Sequence, residues 1–149
     1  MELSPGGPAM DEIAHRVRIF VFRFVEADVE YLLARARPRI EALWGPLVGS
    51  IFPDEDAERA ARRSVREDAG IEHPEAVFDL QAPELVRVGD LSLVEWAYGM
   101  RVARAQADDL VVGSDWSDLL WEPFSAAYHR IGIEANRRAM LRLHTLLSG

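Results

Sequence analysis

The stretch GSIFPDEDAERAARRSVREDAGI, residues 49–71, decides how the rest of the chain is read. From Glu55 to Ala69 it holds neither glycine nor proline and is rich in alanine, arginine and glutamate, which predicts a helix over 55–69. Asp54 is the expected N-cap, acidic residues follow in the first turn, where the helix dipole favours them, and Gly70 suits the left-handed residue that ends a helix. At roughly 100° per residue, Ala57, Ala60, Ala61, Val65 and Ala69 share one arc that should pack on a sheet, while Arg59, Arg62 and Arg66 face water. Asp68 falls inside the apolar arc, with Ser64 one turn before it and Glu67 at the edge. A carboxylate aimed at a packed interface is costly unless it is paired or holds a cation. Asp68 and Glu67 are therefore candidate oxygen ligands for Mg²⁺ or Mn²⁺. The alternative is a solvated helix whose last turn frays and turns Asp68 outward.

Outward from this helix, RVRIFVFRFVE (16–26) is rich in β-branched and aromatic residues and reads as a strand. ADVEYLLARAR (27–37) follows after a short polar break, as the second arm of a hairpin, and Pro38 and the GP at 45–46 mark loop. AVFDL (76–80), ELVRVGD (84–90) and LVEWAYGMRVA (93–103) read as further strands. EPFSAAYHRI (122–131) begins a helix with proline near its first position, and EANRRAMLRLHTLL (134–147) is amphipathic. The order β-β-α-β-β-β-α-α predicts an α+β domain over 13–149, a mixed sheet flanked by helices, behind a Pro/Gly tail over 1–12.

Charge and composition narrow the function. The chain of 149 residues carries a formal charge of −8, unfavourable for nucleic acid or an anionic membrane surface. An acidic protein still binds a phosphate compound when metal ions sit between the two negative partners. There is no cysteine, which removes thiolate metal sites and nucleophiles, and all 17 basic residues are arginine, which removes Schiff-base and P-loop lysine chemistry. No apolar run reaches the roughly 20 residues of a membrane helix, and no basic start precedes an apolar block, so a cytoplasmic location is expected. His15, His73, His129 and His144 show no zinc spacing.

The quoted stretch resembles the Nudix box, G-x5-E-x7-R-E-U-x-E-E-x-G-U, where U is aliphatic. Gly49, Glu55, Arg63, Val65, Glu67, Gly70 and Ile71 match across both fixed gaps, and Asp68 replaces a glutamate conservatively. LWGPLVGSI before the helix and SDWSDLLW (114–121) after it look like segments of the dihydroneopterin triphosphate and dATP pyrophosphohydrolase branch. The resemblance implies an α/β/α sandwich and Mg²⁺-dependent attack of water on the diphosphate of a nucleoside diphosphate derivative, with a homodimer as one expected assembly. It implies that Glu67, Asp68 and Asp115 are metal ligands, that Glu67, Asp115 and Arg63 are the catalytic residues with Asp115 or another acid as base, and that Glu55 and Arg63 orient loop and helix with Gly49 and Gly70. Arg37 stands where members often carry a basic residue near the substrate; a plain surface arginine is the alternative. Trp116 and Trp121 are candidates to line a purine or pterin pocket, or else belong to the core.

The sequence departs from the box at Ser64, where a glutamate normally serves as metal ligand and candidate base, and at Phe52 and Asp54, which replace a glutamate and a glycine. Serine is uncharged and a poor base at neutral pH. Two readings follow: a hydrolase with an atypical box, or a module of this fold that binds a nucleotide-like ligand or a protein and hydrolyses little.

Overall fold

The structure is a computed structural model that describes residues 13–36, 43–81 and 83–148. The tail expected over 1–12, Arg37 and Pro38 lie outside the described residues. The elements run β1 (Ile13–Val25), β2 (Asp28–Ala36), β3 (Trp44–Gly45), β4 (Leu47–Ser50), α1 (Ala57–Ala69), β5 (Ala76–Asp79), β6 (Glu84–Val88), β7 (Leu91–Arg101), α2 (Arg104–Ala107), β8 (Trp116–Pro123), α3 (Phe124–Arg130) and α4 (Glu134–Ser148).

β1 is central because both of its faces are covered. It lies parallel to β7 and antiparallel to β2 and β4. β2 in turn pairs with β3 and β8, and β7 with β5 and β6, all antiparallel. The sheet is therefore mixed, as the sequence predicts. The strand period of two splits β1 between two cores. Val17, Ile19 and Val21 join Ala60, Ala61, Val65 and Ala69 of α1, while Phe20 and Phe22 join Ala127 of α3 and Ala139, Met140 and Leu143 of α4. This explains the near-continuous apolar run in β1, the pattern of a strand buried on both sides. Ala60, Ala61 and Ala69 of α1 are fully buried, and their small side chains let the helix axis approach the sheet closely. The result is a helix–sheet–helix sandwich. Among the described residues no helix is long and apolar enough to cross a membrane.

Several boundaries differ from the sequence reading. α1 begins at Ala57, capped by Asp56 rather than Asp54: the Asp56 carboxylate accepts from Arg59 N–H at 2.8 Å. Residues 52–55 form a turn instead, closed by Glu55 N–H donating to Phe52 O at 3.0 Å. Around the GP at 45–46, read as loop, lie two short strands, and 116–123 supply a strand that carries Pro123 at its end rather than inside a helix. Short edge strands with mixed polarity have little periodicity to read.

Candidate active site

The candidate site is assembled around the two ends of α1. At the front, the loop 50–56 is tied to the helix by one side chain. Arg63 donates from Nε to Glu55 at 2.7 Å and from a terminal nitrogen to the other Glu55 oxygen at 3.1 Å. It also donates to Ser50 O at 2.6 Å and to Glu67 at 3.1 Å. Glu55 accepts the Phe52 N–H at 3.0 Å, and the Phe52 ring covers the guanidinium at 3.9 Å. Fork-on-fork pairing of this kind is among the stronger side-chain interactions, and the aromatic face adds a cation–π contact. The Arg63 hydrogen bonds hold the Glu55 carboxyl below its ordinary range, against a smaller opposing effect of burial. Glu55, Arg63 and Phe52 thus form one structural clamp. Phe52 supplies packing rather than charge to this clamp.

Gly49 and Ser64 explain each other. Ser64 is buried, and its hydroxyl has no hydrogen-bond partner. A Cβ added at Gly49 would overlap that hydroxyl and stand 2.9 Å from the Ser64 Cβ. Only glycine lets β4 run so close to α1.

The rear end is built differently. Gly70 takes the left-handed conformation (φ 74°), with its N–H on Arg66 O and the Ile71 N–H on Val65 O, the paired bonds of a Schellman motif. The remaining carbonyls are met by the incoming loop: Val111 N–H donates to Ala69 O at 3.0 Å and Gly113 N–H to Asp68 O at 2.9 Å. That loop delivers Asp115 beside α1. Next to it, a register shift in the β2–β8 pairing at Arg35/Ala36 places Trp116 opposite Ala36. Irregularities of this sort are frequent beside functional sites, where they re-aim a side chain.

Asp68 is half-buried, and Glu67 and Asp115 are exposed. Burial raises the Asp68 pKa most; the charges of Asp115 and Glu67 raise it further, outweighing the opposing pull of Trp116 and Arg63. The Trp116 indole N–H is itself buried with no partner at bonding distance, so its help to Asp68 is longer-range. The three predicted acids therefore share one electrostatic neighbourhood. Among the described residues, no group of three acidic or histidine side chains is gathered closely enough to enclose a metal ion unaided. Trp121 donates its indole N–H to Ala107 O at 3.1 Å and lies under Arg23 at 4.4 Å, so both its polar tip and its face are engaged within the fold.

The sequence reading missed a cavity of about 490 Å³ beside the loop, lined by His15, Phe52, Glu55, Asp79, Trp96 and Tyr98 among others. Strand period alone puts Trp96 and Tyr98 on the same face as α1, a signal available in the sequence. Burial, then Asp79, Glu58 and Asp56, raise the Tyr98 pKa. Ala57 lines this cavity, and at 1.5 Å per residue Asp68 lies about 16 Å further along the helix. The cavity thus belongs to the front of the helix, not to the acids.

This architecture is the Nudix fold. The chain is similar to an Ap4A hydrolase of C. elegans in a binary complex, at 18% identity over 91% of this chain and 98% of that one, with a TM-score of 0.74. It is similar to the E. coli dihydroneopterin triphosphate pyrophosphohydrolase at 18% identity, over 85% and 91% of the two chains, with a TM-score of 0.70. It is also similar to the NUDIX domain of Shewanella oneidensis NrtR complexed with ADP ribose, at 18% identity, over 89% and 87%, with a TM-score of 0.72. No family model and no curated protein matches the chain.

Proposed function

We propose that this chain is a Mg²⁺- or Mn²⁺-dependent pyrophosphohydrolase acting on a nucleoside diphosphate derivative, working below the rate of a complete site because Ser64 replaces a carboxylate. The observation that carries this reading is the acidic neighbourhood of Asp68, Glu67 and Asp115 at the rear of α1, where a half-buried carboxyl is destabilised in its charged form by burial and by its neighbours. Hard oxygen donors in such a field suit Mg²⁺, which is commonly held by one or two carboxylates together with substrate phosphates rather than by a protein cage. Asp68, Glu67 and Asp115 would be its protein ligands. When bound, the ion neutralises phosphate oxygens and polarises water.

The remaining chemistry belongs to the side chains. Phosphoryl transfer requires positioning more than covalent work. The Arg63–Glu55 clamp fixes the helix against the loop and so fixes where Glu67 and Asp68 point. Asp115 or another acid would accept the proton of the attacking water as a new P–O bond forms and the bridging oxygen of the diphosphate departs. Trp121, engaged within the fold, is given no ring-stacking role.

A specific observation favours a second reading, in which the chain binds a nucleotide-like ligand without turning it over. Ser64 is buried against Gly49 and contributes no carboxylate. The NUDIX domain of NrtR, complexed with ADP ribose, shows this fold with such a ligand. One experiment separates the two: a panel of nucleoside diphosphate derivatives assayed with Mg²⁺ and Mn²⁺ at neutral and alkaline pH, for wild type and Ser64→Glu. The hydrolase reading expects metal-dependent release by the wild type and a rise of about tenfold or more in the variant, the scale of a restored electrostatic contact at the phosphate. Binding of a panel compound with no turnover by either protein supports the second reading.

A further inference from the structure

On the sheet face opposite α1, Arg18 points from β1 into the layer beneath α4. It is 2% exposed and among the largest fully buried side chains. One terminal nitrogen donates to Asn136 Oδ1 at 2.7 Å, itself a buried side chain of α4. Its Nε makes an ion pair with Glu95 at 3.6 Å but has no hydrogen-bond partner. Glu95 is already paired with Arg16. A buried guanidinium with an unanswered N–H is expensive, and folded proteins rarely leave such groups so.

Arg18 opens onto a cavity of about 290 Å³ whose other charged lining residues are Arg138, Arg142 and Glu84. Glu84 is committed to Arg138 at 2.9 Å. Arg142 makes no ion pair with a described residue. The lining carries three arginines and one glutamate, with Glu95 at the back of Arg18, which leaves a modest positive excess in a chain whose net charge is −8. Burial lowers the Arg18 pKa, opposed by the charges of Glu95 and Glu84 and aided to a smaller extent by Arg138 and Arg16. The volume is at the lower end of ligand pockets, too small for a nucleotide and ample for one phosphate with a short substituent. The arginine fork matches phosphate geometry and is weakly hydrated, so burying it against such an anion is favourable.

We propose that this arginine cavity between β1, the start of β6 and α4 is a binding site for a single phosphate group, carried by the free ion or by a small phosphate monoester, separate from the acids of α1. Calorimetric titration in EDTA, so that no divalent ion recruits phosphate to the acids, tests it with inorganic phosphate and with methyl phosphate. Saturable binding with Kd of about 1 mM or tighter is expected. The double variant R138A/R142A, changed at two exposed positions, should weaken it about tenfold or more, while Asp68→Asn leaves it unchanged. Binding of inorganic phosphate alone identifies the free ion as ligand, and binding of both identifies a pocket open to monoesters. Failure of both to bind, or an R138A/R142A protein that binds as well as wild type, overturns the proposal. Neither outcome bears on hydrolysis at α1.

Discussion

In front of α1, Arg63 answers the Glu55 carboxylate with two hydrogen bonds, takes Ser50 O with a third, and lies under Phe52; behind α1, burial and the charges of Asp115 and Glu67 weigh on Asp68, and the far end of Arg63 reaches Glu67. The two regions share one helix, yet among the described residues the first is the more fully paired within the fold. The clamp is a structural element and should fail as one, through stability. Asp68 stores electrostatic cost in the folded chain and should fail through ligand binding, with little loss of stability or even a gain. Ser64 sits between them and sides with the structure: its small buried side chain serves the contact with Gly49, where a carboxylate would serve the ion.

The largest expected effect is at the clamp. Arg63→Ala strands Glu55 and frees the loop, and should lower unfolding free energy by about 2–4 kcal/mol, read from urea melts. A loss under about 1 kcal/mol would mean the clamp is ornamental. Gly49→Ala should cost about 1–3 kcal/mol by overpacking against Ser64, and should cost clearly less in a Ser64→Gly background, since the two sites touch. Equal costs in the two backgrounds would show that the close approach is not the cause. At the acids the sign should reverse: Asp68→Asn should melt at or above the wild-type temperature in EDTA while losing the upward shift that Mg²⁺ or Mn²⁺ gives the wild type.

The smallest expected effect lies away from both ends. His144 stacks on Phe124 at 3.9 Å and bonds the Tyr31 hydroxyl at 2.7 Å, and burial lowers its pKa from 6.5. The unfolded chain then binds a proton that the folded chain resists, so this contribution is fully present above pH 6.5 and is lost as pH falls toward the depressed folded value. Melting temperature should decline over that interval, and His144→Phe should flatten the decline. An unchanged slope would assign it to other groups.

Much of this architecture is legible in the amino-acid sequence. The helix, read over 55–69 and found over 57–69, its Gly70 stop, the apolar arc and the misplaced Asp68 follow from period and propensity, while the orienting role of Glu55 and Arg63 comes from the resemblance. Strand β1 is legible because an apolar run of β-branched and aromatic residues has few alternatives. What escapes a sequence reading depends on partners distant along the chain. β3, β4 and β8 are edge or short strands, defined by what they pair with rather than by their own pattern. Trp121 has the composition of a stacking platform, but Arg23 and Ala107, far from it in sequence, occupy it. The arginine cavity joins residues more than a hundred positions apart, and nothing local marks Arg18 as buried.

The central claim is that a divalent ion is held by the acids behind α1, and titration of Mn²⁺ into wild type, Asp68→Asn and Asp115→Asn, in the presence of a non-hydrolysable nucleoside diphosphate, tests it most directly. Saturable binding by the wild type is expected, weakened about tenfold or more by each substitution. Equal Mn²⁺ affinity in all three proteins, or no saturable binding by the wild type, would contradict it.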